Sequence, residues 1–167
     1  MGLEEHRASA PEHLGFAVLT ISDTRRAGAD PGGDYLAAAI ESAGQRVVRR
    51  ELCRDEPAEI RAAVLAAVGD GAVDLVLTTG GTGISERDVT PETVAPLFDR
   101  EVPGFGELFR WLSYSEIGSA TILSRATAGI VGTTVVIALP GSPKALRLAM
   151  EAIVLKEAGH LVGQARR

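Results

Sequence analysis

The residues best placed to do chemistry sit in three turns: Ser22-Asp23-Thr24, Gly80-Gly81-Thr82-Gly83 and Pro140-Gly141-Ser142-Pro143. Consecutive glycines let the backbone take positive φ and turn successive N–H groups toward an anion. A Pro-Gly-Ser-Pro turn entering a helix leaves backbone donors at the positive end of the helix dipole. Together these are means of holding a phosphate-type group. The glycine run lacks a lysine and the spaced glycines of a dinucleotide fingerprint, so it is neither of the familiar nucleotide loops. Each turn also has a plainer reading, as a tight strand-to-loop turn or as a helix cap with Ser142 at the N-cap and Pro143 first in the helix. Arg25, Arg26, Arg87, Arg125 and Lys144 lie in or beside the turns as candidate cations.

Three acids accompany them. Asp23 and Asp55 each follow a strand-like run, and Asp88 lies in Arg87-Asp88-Val89-Thr90-Pro91-Glu92, just ahead of a helix start. An acid after a strand is ordinarily a turn or cap residue, and Asp88 could assist a cap at Thr90. Facing an anion crevice, however, such acids would repel the ligand unless a divalent cation lay between. Mg²⁺ held by one or two carboxylates plus substrate phosphates meets that need.

The elements that must position these turns can be read from the runs before them. Phe16–Ile21, Val73–Thr79 and Thr134–Leu139 are short, apolar and rich in β-branched residues, with little alternation, as suits strands buried on both faces of a parallel sheet. In open sheets of that kind the ligand crevice lies beyond the carboxyl ends of the strands. Between them, Gly28 to Gly33 reads as a flexible loop leading to a helix from about Asp34 to a stop at Gly44, and a strand spans about 46–53. A further helix opens at Pro57, carries Ile60, Val64 and Val68, and ends at Gly69. The alternation of strand and helix predicts an α/β sandwich. Residues 91–119 read as helices broken at Pro96 and at Pro103-Gly104, forming a cap or interface, and a closing helix runs to about His160.

The chain has 167 residues, which fits one domain over 14–163 with tails at 1–13 and 164–167. Hydrophobic residues make up 46% and aromatics 4%, so the core should be aliphatic. A net charge of −5 argues against broad nucleic-acid binding. No stretch is long and apolar enough for a bilayer, and the first residues lack a signal peptide's apolar run, so a cytoplasmic protein without membrane contact is expected. The single cysteine, Cys53, excludes an intrachain disulfide or a cysteine-based zinc cluster and reads as a half-buried strand thiol. His6, His13 and His160 show no metal-ligand spacing and read as surface residues.

Five motifs in order, Ser22-Asp23-Thr24-Arg25, Thr79-Gly80-Gly81-Thr82-Gly83, Arg87 to Glu92, Ser124-Arg125 with Ala128-Gly129, and Leu139-Pro140-Gly141-Ser142-Pro143, closely resemble the MoaB/Mog family of molybdenum cofactor biosynthesis proteins. The likeness runs from about 14 to 160, and Gly104 to Arg110 with Glu116 to Gly118 looks like the MoaB branch. The resemblance implies a three-layer α/β/α sandwich with a mostly parallel sheet, a homotrimer or dimer of trimers, and a site for molybdopterin. Other enzymes of the pathway are candidate partners. In active members Mg-ATP adenylylates the terminal phosphate of molybdopterin and releases pyrophosphate. Carried over on that resemblance, Asp55 and Asp88 are catalytic and Asp55 holds Mg²⁺. Ser22, Asp23, Thr24, Gly80, Gly81, Thr82, Gly83, Ser124, Arg125, Pro140, Gly141 and Ser142 bind the substrates, ATP and molybdopterin. The family's Asp-x-Ser-Gly loop reads Asp30-Pro31-Gly32-Gly33 here, so one serine hydroxyl is missing. Part of the MoaB branch is thought not to catalyse the reaction, which makes a silent molybdopterin-binding carrier or scaffold the alternative. A sugar-phosphate or nucleotide enzyme sharing only the turn geometry is the third reading.

Overall fold

The computed structural model describes residues 10–25 and 28–167; Arg26, His6 and the rest of the expected tail up to residue 9 lie outside them. Six strands form one sheet in the order β2-β1-β3-β6-β5-β4, with β1 at Gly15–Ile21, β2 at Arg46–Cys53, β3 at Leu75–Thr79, β4 at Arg100–Glu101, β5 at Thr127–Val131 and β6 at Thr134–Leu139. The first four in that order are mutually parallel, while at one edge β5 pairs antiparallel with β6 and β4 antiparallel with β5. The helices are α1 (Pro31–Ser42), α2 (Pro57–Val68), α3 (Thr90–Val94), α4 (Pro103–Ile117), and α5 (Pro143–Ala149) continued through a π-helical turn (Met150–Val154) into α6 (Leu155–Ala165).

The period-2 direction of strand side chains divides the core into two. Phe16, Val18, Leu75, Leu77, Val135 and Ile137 face α1, α4, α5 and α6, whereas Ala17, Leu19, Ile21, Val76, Val136 and Ala138 face α2 and Val94 of α3. Both faces of the central strands are therefore dry, which is why their sequence shows almost no alternation. The result is the three-layer α/β/α sandwich with a mostly parallel sheet.

Several boundaries differ from the sequence reading, each for a local reason. Helix α1 begins at Pro31 rather than near Asp34, because the Asp30 carboxylate accepts the Gly33 N–H and caps a first turn whose Gly32 and Gly33 are buried. The 91–119 segment holds edge strand β4 besides its helices, and β5, only five residues long with a glycine inside, carries too weak a pattern to be read as a strand. The closing helix continues past His160 to Ala165, and Arg166 pairs with Asp74, so the end expected as a tail packs on the domain. At the other end, Ala10 and Pro11 lie against Gly159 and Gly163 of α6. Cys53 is buried rather than half-buried, and that burial pushes its thiol up to about 12. His160 is partly buried and approaches Glu157.

Candidate active site

Strand register brings the three turns together. Thr20 of β1 pairs with Thr79 of β3, and Thr79 pairs with Leu139 of β6, so Ser22, Gly80 and Pro140 leave the sheet at one level. On the other side Ile21 pairs with Cys53, and the Ser22 N–H donates to the Cys53 carbonyl, which sets Asp23 beside Asp55. Strand β1 lies between β2 and β3, so the chain reverses direction across the sheet there, and the gap between β1 and β3 is the switch point where such folds bind ligands.

Gly80 and Gly81 have φ of 109° and 64°, the left-handed region that glycine enters without steric cost. A methyl group on Gly80 would strike the Ile21 carbonyl, and one on Gly81 would strike Thr90 Oγ1 and stand 3.0 Å from Asp55 Oδ1. The turn is anchored through its carbonyls: Thr90 donates from Oγ1 to Gly80 O and from N to Gly81 O, while Arg125 N donates to Thr82 O. Among the described residues the amides of Gly81, Thr82, Gly141 and Ser142 have no protein acceptor. Ser142 caps α5 by accepting from Ala145 N, with Pro143 first in the helix, as its sequence predicts.

These turns border a cleft of about 460 Å³ lined by Gly80, Gly81, Thr82, Gly83, Asp88, Ser124, Pro140, Gly141 and Ser142 on one side. The opposite wall, Phe109, Ser113, Ile117, Ala120 and Leu123 from α4 and the 3₁₀ turn after it, is mainly apolar. A smaller pocket of about 120 Å³, lined by Thr20, Ser22, Arg25, Asp30, Gly32 and Thr79, shares Gly80 and Gly141 with it. Thus one chamber is apolar and broad, the other small and polar, and glycine backbone separates them. A methyl group on Gly32 would have ordinary contacts, 3.4 Å from Leu146 Cδ1 and 3.8 Å from Thr79 Oγ1, so the absent serine leaves space, not a distortion.

The acids occupy contrasting surroundings. Asp23 and Asp55 hold each other, since Asp23 N donates to Asp55 Oδ2 (3.0 Å) and Asp55 N donates to Asp23 Oδ1 (3.1 Å). Burial, with the neighbouring charges of Asp23 and Asp88 adding to it, pushes the Asp55 carboxyl up from the ordinary aspartate range. The Asp88 carboxylate accepts from Ser85 N and Oγ, and those bonds hold it below that range. It does not cap Thr90: α3 has Val89 at its N-cap and no side-chain cap bond. Arg87 is likewise committed, donating to Asp23 (2.7 Å) and Glu56 (3.1 Å), and its guanidinium lowers the Asp23 carboxyl.

Of the residues expected to bind substrate, Gly80 through Gly83, Ser124, Pro140, Gly141 and Ser142 line the broad cleft and Ser22 the small pocket. Asp23, Thr24 and Arg125 line neither; Thr24 is exposed, and Arg125 bonds within the loop beside the turn. The apolar wall and the Thr20–Asp30–Thr79 cluster escaped the sequence reading. Threonines ending otherwise apolar strands were the available signal for the latter.

Fold and site together define an α/β sandwich with flanking carboxylates and, among the described residues, unpaired backbone amides at the carboxyl ends of its strands. Residues 17–160 match the family described as a probable molybdopterin binding domain. Over its whole length the chain is 45% identical to molybdenum cofactor biosynthesis protein B of Bacillus subtilis, covering 99% of that protein. It is 42% identical to the molybdopterin adenylyltransferase of Pyrococcus furiosus, covering 99% of each. A crystal structure of a molybdenum cofactor biosynthesis protein B superposes with a TM-score of 0.91 at 46% identity, covering 95% of this chain and 99% of that one. The chain belongs to this molybdopterin-binding family of molybdenum cofactor biosynthesis.

Proposed function

We propose that the protein adenylylates molybdopterin with Mg-ATP, giving adenylyl-molybdopterin and pyrophosphate. The observation that carries this reading is the meeting of two amide-bearing turns in one cleft, with Asp88 in its lining beside Gly83 and Asp55 outside the lining, against Gly81. The 42% identity to an adenylyltransferase supports it.

The donor set suits magnesium. Asp55 Oδ2 is used by the Asp23 amide, while Oδ1 faces Gly81 without a donor among the described residues. Among the described residues no group of three or more His, Cys, Asp or Glu could hold an ion by itself, so an ion at Asp55 would complete its shell with phosphate oxygens and water, as Mg²⁺ does. When bound, the ion would neutralise charge on the triphosphate. The protein's own part is positioning. The Gly81, Thr82, Gly141 and Ser142 amides hold phosphate oxygens, the apolar wall excludes water, and Asp88 is fixed beside Gly83 to orient metal or nucleotide. No side-chain nucleophile is needed, because the attacking group is a substrate phosphate already ionised at neutral pH.

Incubation with molybdopterin and Mg-ATP should release pyrophosphate in step with adenylylated product. Molybdopterin binding without any release above blank would overturn catalysis and favour the carrier reading, which the MoaB-like insertion and the missing hydroxyl at Gly32 motivate. The proposed setting is a cytoplasmic homo-oligomer; among the described residues no helix is long and apolar enough to cross a membrane.

A further inference from the structure

Arg125 follows the cleft-lining Leu123 and Ser124, yet its side chain turns to the loop that carries Asp88. Its Nε donates to Gly83 O and its Nη2 to Asp88 O, each at 2.7 Å, while Nη1 pairs with Glu92 in the first turn of α3. Its backbone N–H reaches Thr82 O at 3.0 Å. One residue thus grips both ends of the 83–88 loop and the helix beyond.

That loop has little else to hold it. Ile84, Ser85, Glu86 and Arg87 are exposed, so no apolar burial resists its opening. Besides Arg125, the described contacts are the bonds of the Asp88 carboxylate with the Gly83 amide and with Ser85, the Asp88 N–H to Ser85 O bond, and the pairing of Arg87 with Asp23 and Glu56. The acceptors around Arg125 suit a planar guanidinium fork; a lysine ammonium, a single point of charge, cannot satisfy all three together.

We propose that Arg125 is a positioning residue, strapping the 83–88 loop to the glycine turn and to α3 so that Asp88 keeps its place at the cleft while the apolar wall stays joined to the donor wall. The proposal deepens the adenylyltransferase reading and rests on it for its kinetic consequence, but not for its structural one. It also replaces a substrate contact for Arg125 with a role through Asp88.

Hydrogen–deuterium exchange on the intact protein separates the possibilities, using Arg125→Lys, Arg125→Gln, Glu92→Gln and, as a control for losing an arginine bonded to a distant carbonyl, Arg100→Gln. Both Arg125 variants should exchange the amides of 83–90 at least tenfold faster with strands β1, β3 and β6 unchanged, Glu92→Gln should give a smaller increase there, and Arg100→Gln none. In the adenylylation assay the Arg125 variants should lose at least tenfold in kcat with KM for molybdopterin altered less than threefold, and lysine should not restore it. Unchanged exchange in 83–90, with a raised KM, would overturn the strap and return Arg125 to substrate contact. Faster exchange throughout the chain would overturn it in favour of a general stability role. If the unaltered protein shows no adenylylation, the enzymatic reading fails while the exchange result still decides the strap.

Discussion

Asp55 and Asp88 flank the same glycine turn, but their surroundings push their carboxyls in opposite directions. Asp55 is raised by burial and by neighbouring acids, so its contribution to stability is present below the unfolded aspartate pKa of 3.8 and is lost as pH rises through its folded value. At neutral pH its charge is a standing cost. Asp55→Asn keeps an acceptor for the Asp23 amide and removes that cost. The variant should therefore melt at or above the parent temperature at pH 7.5, with the difference shrinking as pH falls through the raised folded value and the parent carboxyl protonates, while Mg-dependent turnover falls. A melting temperature clearly below the parent's at pH 7.5 would contradict the assignment. Asp88 is depressed by its bonds from Ser85, so its contribution is present above 3.8 and lost as pH falls through the lower folded value. Asp88→Asn can still accept one of those bonds, and it should cost about 1 kcal/mol or less. Turnover should fall at least tenfold, about 1.4 kcal/mol of transition-state stabilisation. Measured on one preparation, normal turnover would remove Asp88 from the mechanism.

At the scale of elements, the turns are as informative as the strands they end. Gly81→Ala must place a methyl against Thr90 Oγ1 and Asp55 at a φ of 64°, and should destabilise by about 1–3 kcal/mol and abolish anion binding. Gly104→Ala, in the first turn of α4 with open space around it, should be neutral or stabilising by about 0.4–1 kcal/mol. Denaturant titration of the pair tests whether strain, not loss of glycine as such, governs the effect. Ser142→Ala removes the α5 cap and should cost about 1 kcal/mol. The central strands and their turns were legible because burial on both faces imposes unbroken apolar runs, and glycine, proline and serine mark where those runs stop. Their convergence was not, since it rests on the Thr20–Thr79–Leu139 register, a property of pairing and not of any one segment. The partners of Arg87 and Arg125 were equally hidden: long cations beside a glycine turn read as ligand contacts, yet they meet acceptors as many as 64 residues away. The apolar cleft wall escaped because Phe109 serves the core and the cleft at once.

For the whole molecule, the aromatic run in α4 divides in two. Phe105 and Phe109 stack in the core with ring centroids 6.2 Å apart, so burial of those two is settled within the chain. Trp111 and Ile122 are left 72% and 75% exposed, beside exposed Leu108, Tyr114, Ile117 and Leu123. Large exposed apolar groups concentrated in one stretch of chain, 108–123, suit an interaction surface, and Ile117 and Leu123 also line the cleft, so subunits meeting there would shield the site from water. The occupant expected is further copies of this chain, as a trimer or a multiple of it. Light scattering at micromolar concentration should give that mass. A buried tryptophan at the centre of such a contact contributes on the order of 2 kcal/mol or more, roughly a 30-fold change in association constant. Trp111→Lys with Ile122→Lys should accordingly shift the mass toward monomer while far-ultraviolet circular dichroism and the melting of the monomer core remain those of a folded protein, because neither side chain serves the core. A monomeric parent protein, or an unchanged mass in the double variant, would overturn self-association through these residues.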